Sequence, residues 1–212
     1  MLRECAVLAM QTNAPVPIES RALGTLTYIR ASIDAAGSLA VPGAAGIVMG
    51  TLGTTAAVLT SLPAFRTYWI ETWMLAAVTA FILGGTLVVR QATRRGALLS
   101  APIRKFMLCL CPALLAGAVL TFTLWRFGVE RLIPGVWLLL YGCAVISAST
   151  VTSAMNVRLI GSMGGIFAAL GLVAFGAPPA CHTLILGFGF GVLHLIFGIL
   201  IGHMNHGHSD EQ

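Results

Sequence analysis

Thr183-Leu-Ile-Leu-Gly-Phe-Gly-Phe-Gly-Val-Leu-His-Leu-Ile-Phe-Gly-Ile-Leu-Ile-Gly202 contains no formally charged residue. A helix needs roughly 20 apolar residues to cross the hydrocarbon core of a bilayer, so this stretch reads as a transmembrane span. Five comparable runs precede it, at 39–62, 68–89, 106–125, 133–154 and 159–175. The fold class that follows is all-α, a polytopic integral membrane bundle of about six transmembrane helices. The fifth run is the shortest, and its ends are the least marked.

Composition agrees with this reading. The chain is 58% hydrophobic and 9% charged, with a mean hydropathy of +0.92. A soluble domain needs about a quarter of its residues charged to cover its surface, so most of this surface faces something other than water. The bilayer is the partner that composition implies; a second membrane protein, or another copy of this chain, would meet it through helix contacts. The net charge of +5 does not point to nucleic acid, because the basic residues are spread over the helix ends.

Their distribution predicts orientation. Arg3, Arg21, Arg30, Arg90, Arg94, Arg95, Arg104, Lys105 and Arg158 fall on one side of the spans. Arg66, Arg126 and Arg131 fall on the other. The positive-inside rule then puts both termini in the cytoplasm. No secretory signal is read at the start, since the apolar stretch 5–10 is too short. Residues 1–38 read as a cytoplasmic segment. Within it Ala22, Leu26, Ile29, Ile33 and Ala36 recur at spacings of four and three, predicting an amphipathic surface helix over 19–36. Residues 39–203 form the membrane domain, and 204–212 a cytoplasmic histidine-rich tail.

The polar residues inside the spans are few. No Asp, Glu or Lys lies near a span centre, and Lys105, in a loop, is the single lysine. That argues against a midplane carboxylate for ion coupling and against a deep retinal Schiff base. No HExxH or Walker A pattern occurs. The five cysteines, Cys5, Cys109, Cys111, Cys143 and Cys181, form no CxxC pair and read as packing residues. Trp69 and Trp73 read as interfacial anchors of span two, with Glu71 between them in headgroup water.

His194 stands out at mid-span. Gly187, Gly191, Gly198 and Gly202 form small-xxx-small pairs at spacings of four, seven and four. At about 100° per residue they make one stripe that includes His194. The histidine should therefore point at a neighbouring helix. Its functional readings are proton relay, ligand contact or haem axial ligand. The preferred reading is structural, a neutral imidazole bonded to a Ser, Thr or carbonyl across the interface. In the tail, His203, His206, His208 and Asp210 could chelate a divalent metal, although a short tail of this kind is more often solvated. No other cofactor is suggested.

Val41-Pro42-Gly43 followed by Gly50 echoes Ile133-Pro134-Gly135 followed by Gly142. Three spans separate them, so the two units would be inverted, as in many transporters. The simpler reading, preferred here, is that Pro suits the first helical turn anywhere.

Two family resemblances follow. Six spans with a histidine in the sixth resemble rhomboid intramembrane proteases, whose nucleophilic serine lies in a GxSG-type loop opening the fourth span. The fourth span here has Ser147, Ser149 and Ser153 without such a loop, and Gly161-Ser162-Met163-Gly164 is out of register. The surface helix, Val41-Pro42-Gly43, Arg104-Lys105-Phe106 and Ile133-Pro134-Gly135-Val136-Trp137-Leu138-Leu139-Leu140-Tyr141-Gly142 are similar to small six-span bacterial membrane proteins without an assigned function. That resemblance covers most of the chain from Ala22 and implies a bacterial inner membrane, with no activity. The function classes that remain are a non-enzymatic regulator or scaffold acting through helix contacts, a permease or channel for a small neutral solute with His194 in its path, and, third, a rhomboid-like protease.

Overall fold

The computed structural model describes residues 24–26, 41–94, 101–152 and 154–207. The chain divides into two units, Met1–Ala36 and Gly37–Gln212. In the first, residues 24–26 are helical and exposed, and the remainder of the expected surface helix lies outside the described residues.

The second unit is an all-α bundle, and among the described residues it contains no strand. Its helices are α1 (Gly43–Ser61), α2 (Trp69–Arg94), α3 (Ala101–Arg126), α4 (Ile133–Ser149) and α5 (Ala154–Gly176). The last span is built in three pieces. They are α6 (Pro179–Leu186), a π-helical segment (Gly187–Leu193) and α7 (His194–Gly207). Six of these stretches are long and apolar enough to cross a membrane. The protein is a multi-pass membrane protein.

The helix ends follow from local chemistry. Pro63 holds Leu62 in extended backbone (φ −75°, ψ 138°), which ends α1 and starts the 3-10 turn Pro63–Tyr68. Pro134 and Pro179 sit in first turns, where no backbone donor is missed. Helix α3 ends at Gly128, whose φ of 69° suits glycine. There Val129 N–H donates to the Leu124 carbonyl at 2.9 Å and Gly128 N–H to that of Trp125 at 3.1 Å. Those two bonds are a Schellman cap, and they satisfy carbonyls that would otherwise be orphaned next to the bilayer.

Two expectations about boundaries need correction. Span four ends at Ser149, and Ala154 opens α5, so the span is shorter than the expected 133–154. Asn156 and Arg158 therefore belong to α5, which at 23 residues is longer than the 19 of α1. The cause is a tight turn: Thr150, Val151 and Thr152 N–H donate back to Ser147, Ala148 and Ser149 carbonyls. Those i→i+3 bonds break the α-helix without a proline or a charge to mark the place.

Two seams of backbone contact hold the bundle together. Between α1 and the last span, a β-carbon on Gly198 would lie 2.7 Å from Ile47 N and 2.9 Å from the Gly43 carbonyl oxygen. Between α4 and α5, a β-carbon on Gly142 would lie 2.5 Å from Ala168 N and 2.7 Å from the Gly164 oxygen. Lipid tails are as apolar as Leu, so such close approach is how membrane helices gain association energy. The two seams are not equivalent under inversion. Helix α4 makes its glycine seam with the helix that follows it, whereas α1 makes its own with the last span, although α1 also packs on α2 and α4 on α3. Half of the α4 window is buried but only 6% of the α3 window, which places α4 in the interior and α3 at the margin.

Candidate functional site

The polar centre of the bundle is a hydrogen bond that joins α4 to α7. Tyr141 Oη and His194 Nε2 are 2.7 Å apart. Donor and acceptor roles follow the tautomer; the Gly189 and Phe190 carbonyls beside the ring favour a proton on Nδ1, and with it Tyr141 donates and Nε2 accepts. Phe167 packs edge-on to both rings, at 4.9 Å from Tyr141 and 5.2 Å from His194. Phe190 lies 5.3 Å from Tyr141 and stacks on His194 at 6.1 Å. His194 is 3% exposed, and Phe167 and Leu138 are fully buried.

The expected stripe places His194 only in part. Gly187, Gly191 and Gly198 do face α1: their β-carbons would meet Ala57, Thr54 and Ile47. Gly202 joins the same seam through its backbone, which abuts Gly43. The His194 ring, however, projects away from that seam, toward α4 and α5. What it offers α1 is its carbonyl oxygen, 3.2 Å from where a Gly46 β-carbon would lie. The π-helical segment Gly187–Leu193 lies immediately before His194, and its wider turns depart locally from the 100° register assumed from sequence. Three glycines in seven residues, poor α-helix formers, give the segment the freedom to widen.

The histidine thus reaches a neighbouring helix as expected, but its partner is a tyrosine rather than a Ser, Thr or carbonyl. Sequence offered one signal for this. Of the three tyrosines, Tyr141 alone lies in the interior of a predicted span, Tyr68 being the first residue of its own, and a phenol in an apolar run needs a partner for its hydroxyl. Nδ1 is buried without a hydrogen-bond partner. The Gly189 and Phe190 carbonyls lie beside the ring, but neither is aligned well enough to bond it. The indole nitrogen of Trp73 and both amide atoms of Asn156 are also buried and unpaired. Unpaired groups of this kind each cost on the order of 1–3 kcal/mol.

A second layer lies above the dyad. Trp69 and Trp137 stack at 6.1 Å with an interplanar angle of 7°. Trp69 Nε1 donates to Thr183 Oγ1 at 2.9 Å, and Trp137 Nε1 donates to Thr121 Oγ1 at 2.7 Å. These bonds tie α2 to α6 and α4 to α3. Trp73 is 3% exposed and packs on Trp69 and Phe190. The expectation that Trp69 and Trp73 are headgroup anchors is corrected for Trp73, which is buried inside the bundle, whereas Trp69 is half-buried at the start of α2 beside the exposed turn Pro63–Tyr68. Threonines on neighbouring helices give the Trp69 and Trp137 indole nitrogens the hydrogen bond that interfacial water would otherwise supply. Glu71 is exposed, as expected.

The serines lie elsewhere. Ser149 donates to the Ile146 carbonyl and Ser162 to that of Leu159, each within its own helix. Ser147 is exposed, and Ser153 lies outside the described residues. Of the proposed metal ligands, His203 is exposed on α7 and His206 sits in its last turn, while His208 and Asp210 lie outside the described residues. Among the described residues, no three His, Cys, Asp or Glu side chains come together as a ligand set. No family model matches the chain, and no curated protein or solved structure was found to be similar to it.

Proposed function

We propose that this chain is a non-enzymatic component of a bacterial inner membrane, a regulator or scaffold that acts through helix contacts. The observation that carries this reading is the filling of the interior around His194 by the rings of Tyr141, Phe167 and Phe190. A solute path would need polar, open space at that level. Threonines of α1 turn their hydroxyls to carbonyls of their own helix, as Thr51 does to Ile47 and Thr54 to Gly50. A cavity of about 310 Å³ among the described residues is a groove between α1 and Leu195, bordered by Thr51, Thr55 and Val58, and not a passage beside the dyad. Helix α3, with Leu108, Leu115, Val119 and Phe122 exposed, is the face offered to a partner helix.

Proteoliposomes test this reading against a permease. Shrink–swell assays with glycerol and urea should give rates equal to those of protein-free vesicles. Faster flux that is abolished by His194→Leu would replace the scaffold with a permease. The permease reading draws on the π segment and on the unpaired Nδ1, since π turns recur at functional sites. On the scaffold reading, a photo-crosslinking residue at Leu115 gives a discrete adduct in cells, whereas one at the buried Leu138 gives none.

The same reading places both termini in the cytoplasm, because nine of the twelve basic residues fall on that side. Cysteines introduced at Arg66 or Glu130 should react with an impermeant maleimide from outside, and those at Arg90 or Arg104 should not. The reverse labelling pattern would invert the topology.

A further inference from the structure

One end of the bundle carries cations from two helices and, among the described residues, no carboxylate. Arg90 lies near the end of α2, and Arg104 and Lys105 are the fourth and fifth residues of α3. All three are exposed. Packing brings them to one level. Leu87 of α2 and Ile103 and Phe106 of α3 pack on a small core of Ala45 and Val88. Arg90 is two residues beyond Val88, about 3 Å along the axis, and Arg104 and Lys105 fall between Ile103 and Phe106. The described acidic residues are Glu71, which lies in the first turn of α2, and Glu130, which lies in the turn before α4. Both belong to the opposite end of the bundle.

Two features point to what meets these cations. The start of a helix is where the backbone dipole favours negative charge, yet the opening of α3 holds two cations and no acid. The positive-inside rule calls for cations on one side of the membrane, and it does not call for them at the unfavourable end of a helix. Beside Arg90, Val78, Ile82 and Val89 recur along α2 at spacings of four and seven, and all three are exposed. The stripe runs about 16 Å at 1.5 Å per residue, close to half of the ~30 Å hydrocarbon core. That is the depth of one leaflet.

We infer that Arg90, Arg104 and Lys105 form a binding surface for the phosphodiester headgroup of an anionic phospholipid, with an acyl chain along Val78, Ile82 and Val89. The two guanidinium groups donate to the phosphate oxygens, and the lysine adds a compact positive charge. A free phosphate would meet the cations but leave the apolar stripe without a role. A zwitterionic lipid would bring its own cation against them. The inference needs a bilayer and holds for either orientation of the chain.

The test uses the full chain in detergent micelles, titrated with phosphatidylglycerol or phosphatidylcholine, with native mass spectrometry counting the lipids bound. The first phosphatidylglycerol should bind at least about tenfold more tightly than the first phosphatidylcholine. Arg90→Gln, Arg104→Gln and Lys105→Gln should each weaken it roughly fivefold, and the triple variant should remove the preference. Combined Arg66→Gln, Arg126→Gln and Arg131→Gln takes the same charge from the opposite end and should leave the preference in place. Equal affinities for the two lipids in the wild-type protein would overturn the inference. Equal losses in the two triple variants would also overturn it, because net charge alone would then attract the lipid. Glycerol 3-phosphate carries the phosphate without acyl chains and should not displace bound phosphatidylglycerol. Displacement at lipid-like concentrations would make this a free-phosphate site and overturn the lipid. Melting temperatures identify any variant that has failed to fold, and the single changes at exposed positions decide if a triple variant does.

Discussion

Gly142→Leu is expected to part α4 from α5 and to abolish the cooperative melting of the purified protein. A β-carbon at this position would lie 2.5 Å from Ala168 N, 2.7 Å from the Gly164 oxygen and 3.0 Å from the Ala168 α-carbon. None of those atoms is the end of a flexible side chain, so relief requires a whole helix to move. Overpacking a core usually costs about 1–3 kcal/mol, and a clash against backbone belongs at or above the top of that range. The seam it opens also carries Gly135, Gly164 and Gly171, so displacement at one point loosens the others. Gly165→Leu is the control. It lies on α5, the other helix of the seam, and a β-carbon there meets nothing within 4 Å. Its effect should stay within about 0.5 kcal/mol, as for ordinary surface changes. Thermal unfolding in detergent, followed by size-exclusion fluorescence, measures both variants. Equal melting temperatures for the two would mean that α4 and α5 are not in backbone contact.

His194→Leu and Tyr141→Phe should each destabilise the bundle, and the double variant should recover much of the loss. His194→Leu strands a phenol hydroxyl against apolar rings, and Tyr141→Phe strands Nε2 in the same way. An interhelical hydrogen bond in a membrane is worth only ~0.6 kcal/mol on average. A buried group left unpaired costs more, about 1–3 kcal/mol, so Tyr141→Phe should lose that amount and His194→Leu less, because it also removes the unpaired Nδ1. With both partners apolar, no unpaired group remains, and a double-mutant cycle should give a clear coupling energy. His194→Gln keeps an acceptor of similar bulk and should fall between wild type and Leu. If wild type, Leu and Gln variants melt together, the Tyr141–His194 bond contributes nothing to stability. Additive losses in the cycle would mean that the two residues act independently.

What the sequence determined by itself is the set of spans. Burial in lipid forces each segment to satisfy its own backbone, so about 20 apolar residues in a row specify a helix without help from neighbours. That is why all six were legible from 39–62 through 183–202, with errors confined to ends such as the turn at Thr150. Small-xxx-small spacing also marked Gly187, Gly191 and Gly198 as contact positions, because close approach depends on side-chain size alone. The tertiary structure decided which helices those faces meet. Lipid and helix surfaces are equally apolar, so hydropathy does not rank one partner over another. The direction of the His194 ring was decided by the packing of its neighbours, because the glycines on both sides of it keep to the α1 seam while its side chain turns to Tyr141 and Phe167. The inward placement of Trp69 and Trp137 depends on Thr183 and Thr121, which lie on other helices. Tyr141 became part of the site because α4 and α7 meet at its hydroxyl, and that meeting depends on two glycine seams at once, one holding α4 against α5 and the other holding the last span against α1.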